Sequence, residues 1–325
     1  MSVAAPGGRQ VPRRGLPRRG LLALAASCVA PRLALAAREP ATLLVPAPPG
    51  SSPDRWARQV APFLERAWPH QRLALRNLPG RGGLAALAEL AGTAPGTRVI
   101  GVLTTPVLLA RAVEAGESSP LDRIAPLGAL IEEPVVLVAA PGGVASLDGL
   151  RAQTGVSFGT PPPGTAAHMA GMRLAESAGV TPLVFPSAAA TRQAAAGGHV
   201  AAAALTLPDA IPFLRENRLV ALGIAASRRS PLLPDLPTLR EAGLELLGAT
   251  RRGFALAPDA PEDWRGWLVE GLEKLAADPD LAAQCAEAGQ LPRFLGPEPW
   301  TALLRRQEEA LRRRWREEPW LPRRT

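Results

Sequence analysis

The chain has 325 residues, 47% of them apolar, and a formal charge of +8. That length exceeds what one hydrophobic core serves, so two lobes are expected, and the apolar content excludes wholesale disorder. The charge does not describe a nucleic-acid binder. Six arginines without an acid (Arg9, Arg13, Arg14, Arg18, Arg19 and Arg32) crowd residues 1–36, leaving 31 basic against 29 acidic groups elsewhere.

Residues 1–36 read as a leader for export to the periplasm. An arginine-rich start precedes a short apolar run, Leu21 to Ala30, and Ala34-Leu35-Ala36 gives a cleavage pattern. Pro31 and Arg32 break the run before it could span a bilayer. Arg18-Arg19-Gly20-Leu21-Leu22 also resembles a twin-arginine signal, and the same start suits the general secretory route. Alternatively, "LAASC" is a lipobox and Cys28 a lipidated first residue. Cleavage after Ala36 leaves Cys285 as the one thiol, with no internal disulfide.

Beyond the leader, short apolar runs alternate with amphipathic stretches. Residues 41–46 read as a buried strand, Asp54 to Trp68 as a helix, 72–77 as a second strand and 98–103 as a third. A helix follows from about Pro106, and "PVVLVAA" (134–140) closes the first run. The pattern restarts with strands at 155–160, 181–185, 199–205 and 219–225, with helices between them. The proline-rich stretch 228–244 reads as a connection wrapping one lobe. A last strand, 253–258, leads into helices near 261–277, 280–288 and 298–316. Alternating strands and helices predict parallel sheets covered on both faces. The chain is expected to cross over near 139 and return near 251. Lobe 1 is then 37–138 with 252–325, lobe 2 is 139–251, and a pocket falls between them.

Two turns stand out. "PAPPGSSPD" (46–54) follows the first strand and enters a helix. Gly50 permits close backbone approach, Ser51 and Ser52 supply hydroxyls, and the helix start attracts an anion. "GTPPPGTAAH" (159–168) repeats this with Thr160, Gly164 and Thr165. Thr104 and Thr105 end the third strand and are expected in the same crevice. Asp54 is expected to cap its helix and Arg58 to pair with it.

Catalytic patterns are missing. There is no GxSxG or GxxxxGK motif, and His70, His168 and His199 lie far apart without HExxH or CxxC neighbours. His168, near a helix start, fits either the cleft or an exposed, capping place. Gly80-x-Gly82-x-x-Ala85 is a partial dinucleotide fingerprint, but the next strand ends "GVLTT" with no acid for a ribose, so no nucleotide is expected. No Tyr is present and five of seven Trp lie between 264 and 320, away from these turns. Such a cleft suits a polar, anionic ligand more than a sugar.

The segment "SRRSPLLPDLPTLREAGL" (227–244) resembles a signature of the substrate-binding proteins of tripartite tricarboxylate transporters, the Bug/TctC family. "PPGSSPD", "NLPGRGG" and "GTPPPGTAAHMAGMRL" resemble further family motifs in the expected order, so that the likeness spans about residues 38–310. It implies an α/β, two-lobed type II periplasmic-binding-protein fold, each lobe a mixed sheet flanked by helices. It also implies a small organic acid as ligand, membrane transporter subunits as partners, and no cofactor, metal or enzymatic activity. The ligand-binding set is Gly50, Ser51, Ser52, Thr104, Thr105, Thr160, Gly164, Thr165 and Ser187. The sequence departs from the family at Ser51, at the proline before Asp54, at "VFPSAAA" (184–190), at Ala201 and at "PGTR" (95–98). These departures leave open an alternative, a ligand-free homologue acting as sensor or scaffold with a membrane partner.

Overall fold

The run "TLLV" lacks the alternation of a half-exposed strand, and the fold accounts for it. Strand β1 (Glu39–Val45) lies between β2 (Gln71–Asn77) and β3 (Val99–Thr105), parallel to both, with helices on each face. β2, at the sheet edge, alternates exposed residues with half-buried ones after the buried Gln71. This is a computed structural model, and it describes residues 1–2 and 39–321. Apart from Met1 and Ser2, the expected leader, with Cys28 and the cleavage pattern, lies outside the described residues.

Helix α1 (Ser52–Ala67) follows β1 and buries Trp56, Ala57, Val60, Ala61 and Leu64, the spacing of one apolar face. α2 (Leu84–Ala91) connects β2 to β3, and α3 (Val107–Glu114) follows β3. Strand β4 (Ala125–Ala139) then runs 15 residues through both lobes. Lobe 2 repeats the plan of lobe 1. Its strands β5 (Ser157–Thr160), β6 (Thr181–Val184) and β7 (Ala202–Thr206) place β5 between parallel neighbours, as β1 is placed. After the short α4 (Leu147–Arg151), the helices here are α5 (Ala166–Ala178), α6 (Ala188–Ala196) and α7 (Leu207–Arg215). β8 (Val220–Ile224) pairs with β4. β9 (Ala249–Leu256) returns to lobe 1, where α8 (Glu262–Ala276), α9 (Pro279–Glu287), β10 (Leu291–Leu295) and α10 (Pro297–Glu317) follow. The strand order is β2-β1-β3-β9-β4-β7-β5-β6.

The sheets are mixed. β9 is antiparallel to both β3 and β4, and β10 and β7 are antiparallel to β4, so the periodicity-based expectation of parallel sheets covers only the βα repeats. β4 starts nine residues before the run that announced it. Pro126, Gly128 and the charges at 132 and 133 hide its first half, and register shifts between Pro126 and Gly128 and between Ala129 and Ile131 absorb the irregularity. β9 likewise begins at Ala249, upstream of the apolar run, because Arg251 and Arg252 interrupt it. β10 was not expected; it is short and contains Pro292. The lobe boundaries drawn from the sequence fall inside or at the ends of β4 and β9, strands that serve both lobes. The stretch 228–244 has no helix or strand, only bridges such as Ile224 to Thr238, and anchors itself through buried Leu239 and Leu244.

Helices cover both sheet faces, giving two cores per lobe. In lobe 1, Trp56 stacks on Phe254 at 5.4 Å between ring centroids, and Trp68, Leu268 and Leu272 complete that face. On the other face Trp300 and Leu304 of α10 pack with Leu108 and Leu109 of α3. Lobe 2 buries Phe158 and Leu174 on one face and Val136, Ile211 and Phe213 on the other. Cys285 lies in the lobe 1 core, where burial, with Glu133 nearby, pushes its thiol up to about 12. No helix among the described residues is long and apolar enough to cross a membrane.

Two glycines of α8 separate propensity from packing. A Cβ on Gly266 meets nothing within 4 Å, whereas one on Gly271 would lie 2.4 Å from Trp68 Nε1, which donates to the Leu268 carbonyl. Gly266→Ala is expected to stabilise by about 0.5–1 kcal/mol. Gly271→Ala is expected to destabilise by about 1–3 kcal/mol through overpacking. Urea denaturation midpoints check both, and equal shifts would contradict this packing.

Candidate functional site

Strands β1, β3, β5 and β7 each end where a helix begins, at α1, α3, α5 and α7 respectively. Pairing register brings these ends together. Thr105, at the end of β3, pairs with Arg251, which pairs with Glu132 of β4; Thr206, at the end of β7, pairs with Val135 of β4. The two strand ends thus point toward each other, β3 two strands from β4 on one side and β7 beside it on the other, with their levels about 10 Å apart along β4. Helix starts from both lobes therefore flank one crevice, with β4 and β9 as its floor. Unpaired N–H groups and the positive dipole end make each start attractive to an anion.

The floor holds a buried ion pair. Arg252 of β9 grips both oxygens of Glu133 of β4, Nε at 2.7 Å and Nη2 at 3.0 Å, with side-chain exposures of 5% and 1%. Gln290 Nε2 donates to the same carboxylate at 2.7 Å, and Arg252 Nη2 also donates to Ser52 Oγ at 2.8 Å. Nearby, Thr206 Oγ1 donates to Asp209 Oδ2 at 2.6 Å. Burial raises the Asp209 carboxyl above its ordinary value, with Glu133 adding to the rise and the Thr206 bond opposing it. On the neighbouring register, Glu132 bridges Arg251 at 2.6 Å and Arg293 at 2.9 Å. Thr104 Oγ1 and Arg252 Nη1 are buried here without a hydrogen-bond partner, and the Thr105 hydroxyl, also unpartnered, leaves the other face of the sheet. Buried polar atoms are rarely left so, and two in one place mark a spot that accepts a polar guest.

The first loop is tied down by Asp54. Its carboxylate accepts from Gly50 N at 2.8 Å, Arg58 Nε at 3.0 Å and Asn77 Nδ2 at 2.9 Å. The expected Asp54–Arg58 pair is present, but Asp54 is not the cap it was expected to be: it lies in the first turn of α1 and reaches back to Gly50 N, fixing the turn before the helix. Gly50 takes a φ of +78°, a region costly for other residues. Ser51 stands at the N-cap of α1, but its hydroxyl donates to the Pro48 carbonyl at 2.6 Å and caps nothing. Ser52 reaches the floor through Arg252.

The second loop packs against α3. A Cβ on Gly164 would lie 2.9 Å from Ala110 Cβ, and Arg111 Nη2 donates to the Pro163 carbonyl at 3.1 Å. The Thr165 hydroxyl caps α5, accepting from His168 N at 3.2 Å and donating to the Pro162 carbonyl at 2.9 Å. Thr160 is fully buried beside Gly171, its hydroxyl 3.5 Å from the Leu183 carbonyl. Ser187 caps α6, accepting from Ala190 N at 3.1 Å. His168 is neither exposed nor a side-chain cap. It is buried with both ring nitrogens unpartnered, and its pKa is lowered to about 4 by burial and then by Arg314 and Arg111.

The structure thus gathers Ser52 and Thr104 around Arg252, with Thr105 opposite Arg251, and sets Gly164 against α3. Arg252, Glu133, Gln290, Thr206 and Asp209 escaped sequence reading. A signal for two of them existed: Glu132-Glu133 and Arg251-Arg252 are the only charges in β4 and β9. Among the described residues, no group of three or more His, Cys, Asp or Glu is placed to hold a metal.

Residues 57–289 match the sequence model of TctC, described as the tripartite tricarboxylate transporter family receptor. The chain belongs to this family. Among curated relatives, Protein BugT of Bordetella pertussis is 28% identical over 230 residues, covering 67% of this chain and 70% of its own. A UPF0065 protein of Agrobacterium vitis is 27% identical over 267 residues, covering 78% and 76%. A TctC solute-binding protein from Polaromonas superposes with a TM-score of 0.74 at 20% identity, over 86% of this chain and 98% of that one. MatC of Rhodopseudomonas palustris with bound malate gives 0.67 at 23%, over 84% and 97%. Another R. palustris protein, with adipate, gives 0.69 at 20%, over 85% and 95%. These likenesses establish the two-lobed periplasmic-binding-protein fold of the TctC receptors.

The Asp54 network carries a pH signature. Hydrogen bonding from Arg58, with further bonds from Gly50 and Asn77, holds its pKa at about 2 against an ordinary 3.8. A depressed carboxyl contributes stability that is complete above pH 3.8 and is lost as pH falls through about 2. Urea melts should find wild type more stable than Asp54→Asn above pH 4, with the gap shrinking between 3.8 and about 2. A gap independent of pH would contradict the network.

Proposed function

We propose that this TctC-family chain is a periplasmic receptor that closes two lobes on a small carboxylate. It then delivers the ligand to the membrane subunits of a tripartite tricarboxylate transporter and performs no catalysis. The observation that carries this reading is the meeting of helix starts from both lobes over a floor with a buried arginine and an unpartnered hydroxyl. Anions gain at such starts from N–H groups and dipole together. Malate bound to MatC and adipate bound to a second relative support a carboxylate as the ligand class. Periplasmic placement follows from the family and accords with the leader read at residues 1–36.

In this reading Gly50, Ser51, Ser52, Thr104 and Thr105 form the lobe 1 wall, and Thr160, Gly164, Thr165 and Ser187 contribute from lobe 2. Thr165 and Ser187 spend their hydroxyls on caps, so they act by holding helix starts in place. The β4 and β9 strands act as the hinge on which the lobes close.

A thermal-unfolding screen with mono- and dicarboxylates, malate and adipate included, tests the proposal against sugars and neutral amides of the same acids. A ligand at a hundred times its Kd adds about 2.7 kcal/mol, a shift of several degrees. At least one acid is expected to raise the midpoint while its amide does not. A response to sugars and to no acid would contradict the carboxylate reading.

A further inference from the structure

Arg252 has one edge committed and the other half free. Its Nε and Nη2 bind Glu133, and Nη2 turns its second hydrogen to Ser52 Oγ at 2.8 Å. A guanidinium is planar, with its N–H groups in fixed directions. The Nη1 hydrogen that shares the outer edge with Nη2 therefore points as the Ser52 bond points, toward the start of α1. Nη1 is buried and without a partner. Thr104 lies directly opposite Arg252 across the β3–β9 pair, so both side chains leave the same face of the sheet. The Thr104 hydroxyl is likewise buried without a partner. Two donors and the N-terminus of a 16-residue helix thus converge beside Ser52.

We propose that Arg252 anchors the ligand: a carboxylate oxygen accepts from Arg252 Nη1 and Thr104 Oγ1 beside the first N–H groups of α1. This rests on the carboxylate-receptor reading and adds to it an anchor on a strand shared by both lobes. Glu133 already neutralises the guanidinium, so this end of the crevice takes one carboxylate. A second acid group on the ligand must lie toward lobe 2. Because Arg252 sits where lobe 1 meets the hinge, the ligand docks here first and lobe 2 closes over its far end.

Titration calorimetry with malate and adipate on four proteins tests the anchor. Thr104→Val removes a hydroxyl that has no partner to lose, so its ligand-free melting point should match or exceed that of wild type. It should weaken binding by about ten- to a hundredfold, the usual cost of losing a hydrogen bond to a charged group. Thr104→Ser keeps the hydroxyl and should stay within about threefold of wild type. Arg252→Lys keeps the charge facing Glu133 but loses Nη1, and should weaken binding about as much as Thr104→Val. Should the lysine variant not fold, the Val and Ser pair decides alone. Wild-type affinity in Thr104→Val would overturn the anchor and leave the receptor reading standing. Failure of wild type to bind malate, adipate or any other acid of the thermal screen would overturn both.

Discussion

Two strands join the lobes, and the buried pair of Glu133 and Arg252 locks them together. A carboxylate and a guanidinium taken out of water lose several kcal/mol of hydration each, and an interior position recovers that only with good geometry and full hydrogen bonding. Here the contact is a two-bond fork, and Gln290 occupies one of the carboxylate oxygens as well. In the observed register Glu132 lies directly opposite Arg251, and Glu133 reaches Arg252 diagonally across the same two strands. Removing either partner strands the other as a buried charge, so the pair costs much when broken and holds β4 and β9 side by side.

The site follows from that register. Thr105 stands beside Arg251 and Thr206 beside Val135 only because β4, β9 and their neighbours are held in this alignment. The helix starts of the two lobes then face one another across the floor. Asp54 does comparable work at closer range, drawing Gly50, Arg58 and Asn77 onto one carboxylate so that the first loop is rigid before any ligand arrives. Preorganised donors spare a ligand the cost of ordering them.

Much of this was legible in the sequence where the pattern was local. The strand-then-helix repeats announced β1 to β3 and β5 to β7, because each unit buries its own apolar face. The glycine and hydroxyl turns marked the helix starts, and the motif at 227–244 pointed to the family that the match over residues 57–289 confirms. The floor was not legible. Glu133 and Arg252 are 119 residues apart, and charges inside a strand read locally as an interruption of the core. β10 and the first half of β4 were missed for the same reason, since only pairing partners from elsewhere in the chain make them strands. The Thr165 turn was recognised as a helix start, yet its hydroxyl serves the helix.

A double-mutant cycle on Glu133 and Arg252 tests the central claim most directly, with urea unfolding of the wild type, Glu133→Gln, Arg252→Met and the double variant. Each single change strands a buried charge or its partner and should cost about 3–5 kcal/mol, whereas the double variant should cost much less than the two together. Single-variant losses under about 1 kcal/mol, or losses that simply add, would mean that the pair does not hold the crossing strands and that the crevice owes its alignment to something else.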